Sequence, residues 1–434
     1  MGTAGGRPDP LPIEPLVGPI DADAVVPGSK SVTNRALVVA ALAAGRSRLS
    51  GVLFSDDTEA MITALVACGH QLEIDEGACT IDVLGRHAVA ASTEPVRIDA
   101  RQSGTSARFL APFLALDAGH DYVLDGSAQL RARPMGPGLD ALVQLGAAVR
   151  AVADGGHLPV AISGKHLEGG TVSLPGDVSS QFVSGLLMAG PCMRAGLRIE
   201  LTTDLVSRPY LDLTVAVMHA FGAQVRTEGD RAFVARPGRY VGHDYLVEPD
   251  ASAASYLFAA AAICGGRVRI AGLGRNTVQG DLQFVDVLEQ MGATVVRLDD
   301  ATEVIGGAPL RGVDVDLADF SDTAQTLAAV AVFATSPTRV RGIGFIRNKE
   351  TDRIGAVVTE LNRCGIRAIE EPDGFVIHPG TPQPAVIQTY DDHRMAMSFA
   401  LLGLRAPGIA IADPGCVAKT FPGYWDALDA LRPR

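Results

Sequence analysis

The stretch VPGSKSVTNRALVVAALAAG, which begins at Val26, sets Ser29, Lys30, Ser31 and Arg35 at the entry to an apolar helix. Two readings of it are open. The serines could accept hydrogen bonds from the first free backbone N–H groups, leaving Lys30 solvated. Alternatively the hydroxyls, the ammonium and the positive end of the helix dipole together bind an anion. The spacing is not that of a nucleotide P-loop, because Ser29 separates Gly28 from Lys30. Further cationic clusters follow: SAQLRARPMGP with Arg131 and Arg133, DLVSRPY with Ser207 and Arg208, and CVAKTFPGYW with Lys419. The densest is RNKETDRIG, where Arg347, Lys349, Glu350, Asp352 and Arg353 crowd the entry to an amphipathic helix. Such a run is ordinarily a solvated turn, yet cations at a helix N-terminus oppose its dipole and require an anion. In YDDHRMAMSFALL, His393 and Arg394 stand in the same position before an apolar helix. Local rules broken twice in this way mark candidate site residues.

The elements that position these clusters repeat. An apolar stretch, a Gly and a β-like run recur as ALVACGHQLEI, ALVQLGAAVRA, VMHAFGAQVRT, VLEQMGATVVR and ELNRCGIRAIE. Their glycines (Gly69, Gly146, Gly222, Gly292, Gly365) fall at intervals of about 70 to 77 residues. A glycine after each helix is explained locally; the interval requires internal duplication. Each unit opens with a polar start to an Ala/Leu-rich helix, as in SGTSARFLAPFLAL, SSQFVSGLLMAG, DASAASYLFAAAA and SDTAQTLAAVAVFA. The chain reads as strand–helix–strand–helix–strand six times over, an α/β fold around buried helices. Six units divide into three plus three, with the break near YLVEPDAS. Two similar domains would then face each other across a cleft, a usual place for a ligand. Converging helix N-termini would make that cleft attract anions.

Composition narrows the partners. A chain of 434 residues with 47% hydrophobic and 20% charged residues is a folded protein of two or three domains. Its formal charge of -12 argues against nucleic acid as the main partner. Cys68, Cys79, Cys192, Cys264, Cys364 and Cys416 are scattered, with no CxxC pair, so reduced and mostly buried thiols are expected rather than a disulfide framework or a zinc site. MGTAGGRPDPLP reads as a short flexible tail without a secretory h-region, and no apolar run reaches the roughly 18 residues of a membrane span. The expectation is a cytoplasmic protein with no membrane partner.

Eight motifs now carry a resemblance: PGSKSVTNRAL, SGTSAR, RARPMG, DVSSQFVSGLLMA, SRPYLD, KETDR, DDHRMAM and AKTFP, running in order from Lys30 to Pro422. Together the chain resembles the 5-enolpyruvylshikimate-3-phosphate (EPSP) synthase family. That resemblance implies two domains of three βαβαββ repeats each, one spanning 29–247 and the other 1–28 with 248–434, and an active site in the cleft between them. The first would mainly hold shikimate 3-phosphate; the second would bind phosphoenolpyruvate and carry catalysis. The implied reaction moves the enolpyruvyl group of phosphoenolpyruvate to the 5-hydroxyl of shikimate 3-phosphate and releases phosphate. It precedes chorismate formation in aromatic amino-acid biosynthesis and uses no metal or organic cofactor. A monomer is expected.

Roles carried over by motif place Ser31, Arg35, Ser179, Ser180, Gln181, Ser207, Tyr210, Asp322 and Lys349 on shikimate 3-phosphate. Lys30, Gly104, Arg133, Gln181, Arg353, Arg394 and Lys419 would bind phosphoenolpyruvate, where guanidinium forks match carboxylate and phosphate. Asp322 would be the base for the 5-hydroxyl, although alone it could be a helix N-cap. Glu350 and Lys30 are the candidate acids for the methylene carbon, with His393 and Lys419 in support. The chain departs from the family pattern at Gln102, where Asn is usual, at Phe109, where Pro is common, and at Phe345, often a polar contact. Glyphosate, the family's inhibitor, is expected to compete at this pocket; Gly104 favours sensitivity, and Gln102 and Phe109 modulate it. The sister enzyme acting on UDP-N-acetylglucosamine usually has Asn after the lysine and a Cys in the mobile loop. Here Ser31 follows Lys30 and SAQLRARPMG holds no Cys. A purely binding protein would not require both a base and an acid, and an RNA-end-processing enzyme would require a basic stripe.

Overall fold

The computed structural model describes residues 7–86, 94–152 and 156–432. The chain forms two compact units: a central one, Gly28–Glu248, and a terminal one made of Met1–Pro27 and Pro249–Arg434. In the central unit each sheet has the same plan. Val96–Asp99 runs parallel to Asp121–Asp125, which pairs antiparallel with Val160–Ser163, which pairs antiparallel with Ala148–Ala151. A parallel pair needs a crossover connection, and here the crossover is the Gly104–Ala115 helix. Gly170–Leu174 and Leu197–Leu201 repeat the plan around Ser180–Ala189. Asp314–Asp316 and Thr338–Arg341 repeat it in the terminal unit around Ala324–Ala331.

Two strands come from across the chain crossings. Ile20–Ala24 precedes the central unit yet pairs in parallel with Gly266–Ala271 of the terminal unit. Asp244–Leu246, at the end of the central unit, pairs in parallel with Ser47–Ser50 at its start. Each completes a sheet whose other strands lie far away in sequence. The last repeat is shorter: Ala385–Ile387, Ile409–Ile411 and Leu11–Pro12 make a three-stranded sheet.

The crossover helices are buried, which is why they are apolar almost all round. Every residue of Gly104–Ala115 is buried, as is Ala251 through Ile263 of the Ala251–Cys264 helix. In the terminal unit Leu257, Phe258, Leu327 and Phe399 belong to one core, and each side chain so buried contributes about 1.5–3 kcal/mol. Asp250 starts the Ala251 helix by accepting a bond from the Ala253 amide (2.8 Å). The five helix-ending glycines all take positive φ, from 74° to 118°, a conformation that would strain any side chain.

Two expectations need correcting. The N-terminal segment is only partly a tail. Residues 1–6 lie outside the described residues, but Leu11 is buried in a strand and Arg7 bonds Asp426 and Asp429. The thiols are less uniformly buried than expected: Cys68 and Cys364 are buried and Cys264 and Cys416 half-buried, whereas Cys79 and Cys192 are exposed. Cys79 sits in the hairpin turn between His70–Asp75 and Thr80–Arg86, and Cys192 ends the Gly190–Cys192 3-10 turn, so both lie at the surface. Among the described residues no helix is long and apolar enough to cross a membrane.

Candidate active site

In the central unit the buried helices open side by side. The Lys30–Leu42 helix begins at Lys30 itself, and its N-cap residue Ser29 makes no side-chain cap. The plain capping reading therefore fails for Ser29. Lys30 Nζ instead lies 3.2 Å from Asp57 Oδ2, with both side chains mostly buried. The Asp57 backbone carbonyl also accepts from Ser106 Oγ (3.1 Å), in the first turn of the Gly104–Ala115 helix. Lys30 and that turn are thus anchored to one point.

Gly104 allows the closest approach. A Cβ there would stand 2.8 Å from Arg133 Cζ, so the guanidinium occupies space that any side chain would take. Beside it, Gln181 donates through Nε2 to Thr105 Oγ1 (3.0 Å) and accepts at Oε1 from Arg108 Nη1 (2.7 Å). Arg108 also donates to the Pro134 carbonyl (3.0 Å) and lies over the Phe182 ring. Ser179 caps the Ser180–Ala189 helix through the Gln181 amide (3.3 Å). These contacts gather Lys30, Gly104, Arg133 and Gln181 into one constellation.

Arg35 is 1% exposed and lies one turn into its helix. It donates from Nε to Thr214 Oγ1 (2.7 Å), from Nη1 to the Ser31 carbonyl (2.8 Å) and from Nη2 to the Tyr210 carbonyl (3.1 Å). Every one of these acceptors is neutral. Burial lowers its pKa to about 10. Ser207 precedes the Arg208–Ala220 helix at φ 55°, a left-handed conformation, and its carbonyl accepts from the Tyr210 amide (3.1 Å). Such strain persists where surrounding contacts fix it.

The terminal unit holds the opposite kind of centre. Arg353, 2% exposed, donates from Nε to Asp392 Oδ2 (2.8 Å), from Nη1 to Asp322 Oδ1 (3.1 Å) and from Nη2 to Glu350 Oε2 (2.7 Å). Arg394 Nη2 donates to the other oxygen of Asp322 (2.6 Å), and its Nη1 reaches Tyr256 OH (3.2 Å). Lys419 Nζ stands 3.8 Å from Glu350 Oε1. Burial alone would lower the Arg353 pKa, but Asp392, Glu350 and Asp322 outweigh it and raise the value. Burial likewise pushes Tyr256 up to about 12, against the pull of Arg394.

The helices here explain how cations tolerate N-termini. Asp352 caps the Arg353–Arg363 helix through the Ile354 and Gly355 amides (3.1 and 3.0 Å). Asp392 caps the His393–Gly403 helix through the Arg394 amide (2.9 Å). Each carboxylate offsets the dipole next to the cations. Asp322 is not an N-cap: it sits in a 3-10 turn, Ser321–Thr323, and spends both oxygens on arginines. His393 is buried with Nδ1 3.6 Å from Asp392 Oδ1. Lys349 ends the preceding 3-10 turn, half-buried, with its amide bonded to the Ile346 carbonyl.

Three polar residues of these clusters carry no role in the sequence reading. Asp57 and Asp392 were hidden because an acid at a helix start looks like a cap. Arg108, inside SGTSAR, was hidden because nothing local reveals that its partners are Gln181 and Pro134.

Sheets of one plan, repeated around apolar helices in both units, are an architecture found in solved structures. The enolpyruvyl transferase NikO from Streptomyces tendae shares that fold, with a TM-score of 0.77 at 20% identity over 98% of both chains. EPSP synthase from Acinetobacter baumannii matches with a TM-score of 0.82 and 28% identity, over 97% of this chain and 98% of that one. The 3-phosphoshikimate 1-carboxyvinyltransferases of Nostoc punctiforme and Vibrio campbellii are 46% and 42% identical, covering 96% and 97% of this chain and 98% and 99% of theirs. The family described as EPSP synthase (3-phosphoshikimate 1-carboxyvinyltransferase) matches residues 16–428, and the chain belongs to it.

Proposed function

We infer that this chain catalyses the reaction its family is named for, transfer of the carboxyvinyl group of phosphoenolpyruvate to the 5-hydroxyl of shikimate 3-phosphate with release of phosphate. The observation that carries this is the family match across residues 16–428. The residue roles are our reading of the two clusters. Ser31, Arg35, Ser179, Ser180, Gln181, Ser207, Tyr210, Asp322 and Lys349 hold shikimate 3-phosphate. Lys30, Gly104, Arg133, Gln181, Arg353, Arg394 and Lys419 hold phosphoenolpyruvate. The central unit would serve mainly the acceptor while also lending Lys30, Gly104, Arg133 and Gln181 to phosphoenolpyruvate, and the terminal unit would supply Arg353, Arg394, Lys419 and most of the catalytic groups.

Asp322 takes the 5-hydroxyl proton as the oxygen bonds to C2 of phosphoenolpyruvate, while Glu350 or Lys30 delivers a proton to C3. The adduct then loses phosphate from C2 and a proton from C3, restoring the vinyl group. An anion that draws Arg394 Nη2 to itself frees an oxygen of Asp322, so donor binding would make the base more basic. The arginines and lysines stabilise the charge that develops on the leaving phosphate. His393 supports this cluster through Asp392.

Glyphosate competition belongs to the same reading, supported by the space that Gly104 leaves for Arg133. A cytoplasmic location does too, supported by six free cysteines, and we propose a monomer with it. The test is phosphate release from phosphoenolpyruvate with shikimate 3-phosphate and, separately, with UDP-N-acetylglucosamine. Release only with shikimate 3-phosphate, abolished in Asp322→Ala, is expected. Release only with the sugar nucleotide would mean that the acceptor is misassigned.

A further inference from the structure

Arg35 presents a problem that its hydrogen bonds do not solve. A fully buried guanidinium ordinarily sits beside a carboxylate, and among the described residues none is paired with this one. Its bonds run to the hydroxyl of Thr214, to two backbone carbonyls and, at 3.5 Å, to Ser184 Oγ. Thr214 and Ser184 bond each other at 2.9 Å, so the hydroxyls form a neutral cradle. One flank remains. There the Phe109 ring lies with its centre 5.0 Å from Arg35 Cζ.

Phe109 is wholly buried in the Gly104–Ala115 helix, the same helix whose first turn carries Gly104 and Thr105. An aromatic face attracts a cation through its quadrupole without cancelling the charge. A carboxylate in that place would form an internal ion pair and compete with any incoming anion. We propose that Phe109 is a positioning residue: it fixes Arg35 in the bound geometry while leaving its full positive charge to the acceptor's anionic group. This rests on the placement of Arg35 at the acceptor. The depressed pKa of Arg35 agrees, since burial without an opposite charge is what lowers it. Tyr210 and Tyr245 are the ionisable side chains that act on it.

The ring also has a mechanical consequence. It ties the helix that carries Arg35 to the helix that carries Gly104, so acceptor affinity should depend on a side chain that touches no substrate. Phe113, buried one turn further along the same helix, meets the His70 ring at a tilt instead, 5.6 Å between centres, and provides the control for simple loss of packing.

The test compares Phe109→Leu, Phe113→Leu, Arg35→Lys and the double variant Arg35→Lys/Phe109→Leu, by titrating shikimate 3-phosphate and by steady-state kinetics. Phe109→Leu should weaken shikimate 3-phosphate binding about three- to twentyfold, with kcat and the KM for phosphoenolpyruvate within about twofold. Phe113→Leu should leave acceptor affinity within about twofold. In the Arg35→Lys background the Phe109 change should cost less than about twofold, because coupled residues are not additive. Equal losses from Phe109→Leu and Phe113→Leu, or the same loss in both Arg35 backgrounds, would overturn the proposal. If Arg35→Lys itself leaves acceptor affinity intact, the placement of Arg35 fails first and the proposal falls with it. Should Phe109→Leu not fold, Phe109→Met, nearer in volume, carries the same expectations.

Discussion

Arg35 and Arg353 are both sealed in the protein, one in each unit, and they are held by opposite means. Arg353 bonds three carboxylates, Asp322, Glu350 and Asp392, and its pKa is raised. Arg35 has only neutral oxygens and a ring, and burial lowers its pKa to about 10. Arg353 is therefore a keystone: its loss would take a partner from each of three acids, although Asp322 keeps Arg394 and Glu350 keeps Lys419. Arg35 is an unbalanced charge kept in place by its surroundings, a configuration that costs stability and gains attraction for an anion. In the proposed site, Arg353 would meet its ligand with its charge already answered by carboxylates, and Arg35 with its charge unanswered.

The comparison is most easily broken at Arg353. Replacing it with Met leaves Asp322, Glu350 and Asp392 without their shared partner, and breaking a buried pair from one side costs about 3–5 kcal/mol. Denaturant midpoints should show that loss, and phosphate release should fall about a thousandfold or more, as expected where a preorganised charge cluster is dismantled. A folded Arg353→Met protein of unchanged stability would remove the keystone reading. Arg35→Met should behave otherwise. It removes a buried charge with no stranded carboxylate, so stability should change by no more than about 1 kcal/mol in either direction. Affinity for shikimate 3-phosphate should nonetheless drop about a hundredfold, the value of a charged hydrogen-bonded contact of about 3 kcal/mol. If stability fell as far as for Arg353→Met, the two arginines would not differ in kind.

What the sequence shows of this contrast is uneven, for physical reasons. The buried helices are legible because a polar start followed by an all-round apolar run, closed by glycine, has few other solutions. The pairing of Ile20–Ala24 with Gly266–Ala271 depends on where the chain crosses between units and leaves no local mark. At the site, Lys30, Arg353, His393 and Arg394 stand out because cations at helix starts break a rule. Asp57 and Asp392 obey the rule for helix starts and so look ordinary. The neutrality of the Arg35 cradle is invisible altogether, because Thr214 and Ser184 lie about 180 and 150 positions away.

A third guanidinium sharpens the comparison with a smaller effect. Arg133 lies where a Cβ on Gly104 would come within 2.8–2.9 Å of its Cζ, Nη1 and Nη2. Its place depends on the absence of a side chain at Gly104. Gly104→Ala should push that guanidinium aside and raise the KM for phosphoenolpyruvate about tenfold, one factor of ten being about 1.4 kcal/mol. Binding of shikimate 3-phosphate alone should stay within about twofold. A loss shared equally between both substrates would mean that the helix, not the arginine, had moved.

The finest distinction is in pH. Because the pKa of Arg35 is about 10 in the folded protein and 12.5 unperturbed, the folded state releases this proton first as pH rises. The unfolded chain then binds more protons, so this group's contribution to stability increases with pH, by up to about 1.4 kcal/mol per unit. For Arg353, with a raised folded pKa, the sign is reversed: its contribution is complete below the unfolded value and is lost only above it. Between pH 9 and 11, about where Arg35 titrates, the stability of the wild type minus that of Arg35→Met should therefore climb. Affinity for shikimate 3-phosphate should fall over the same interval as the Arg35 charge disappears. Opposite slopes for stability and binding are the signature of an unbalanced buried cation. Parallel slopes would show that Arg35, like Arg353, has its charge answered within the fold.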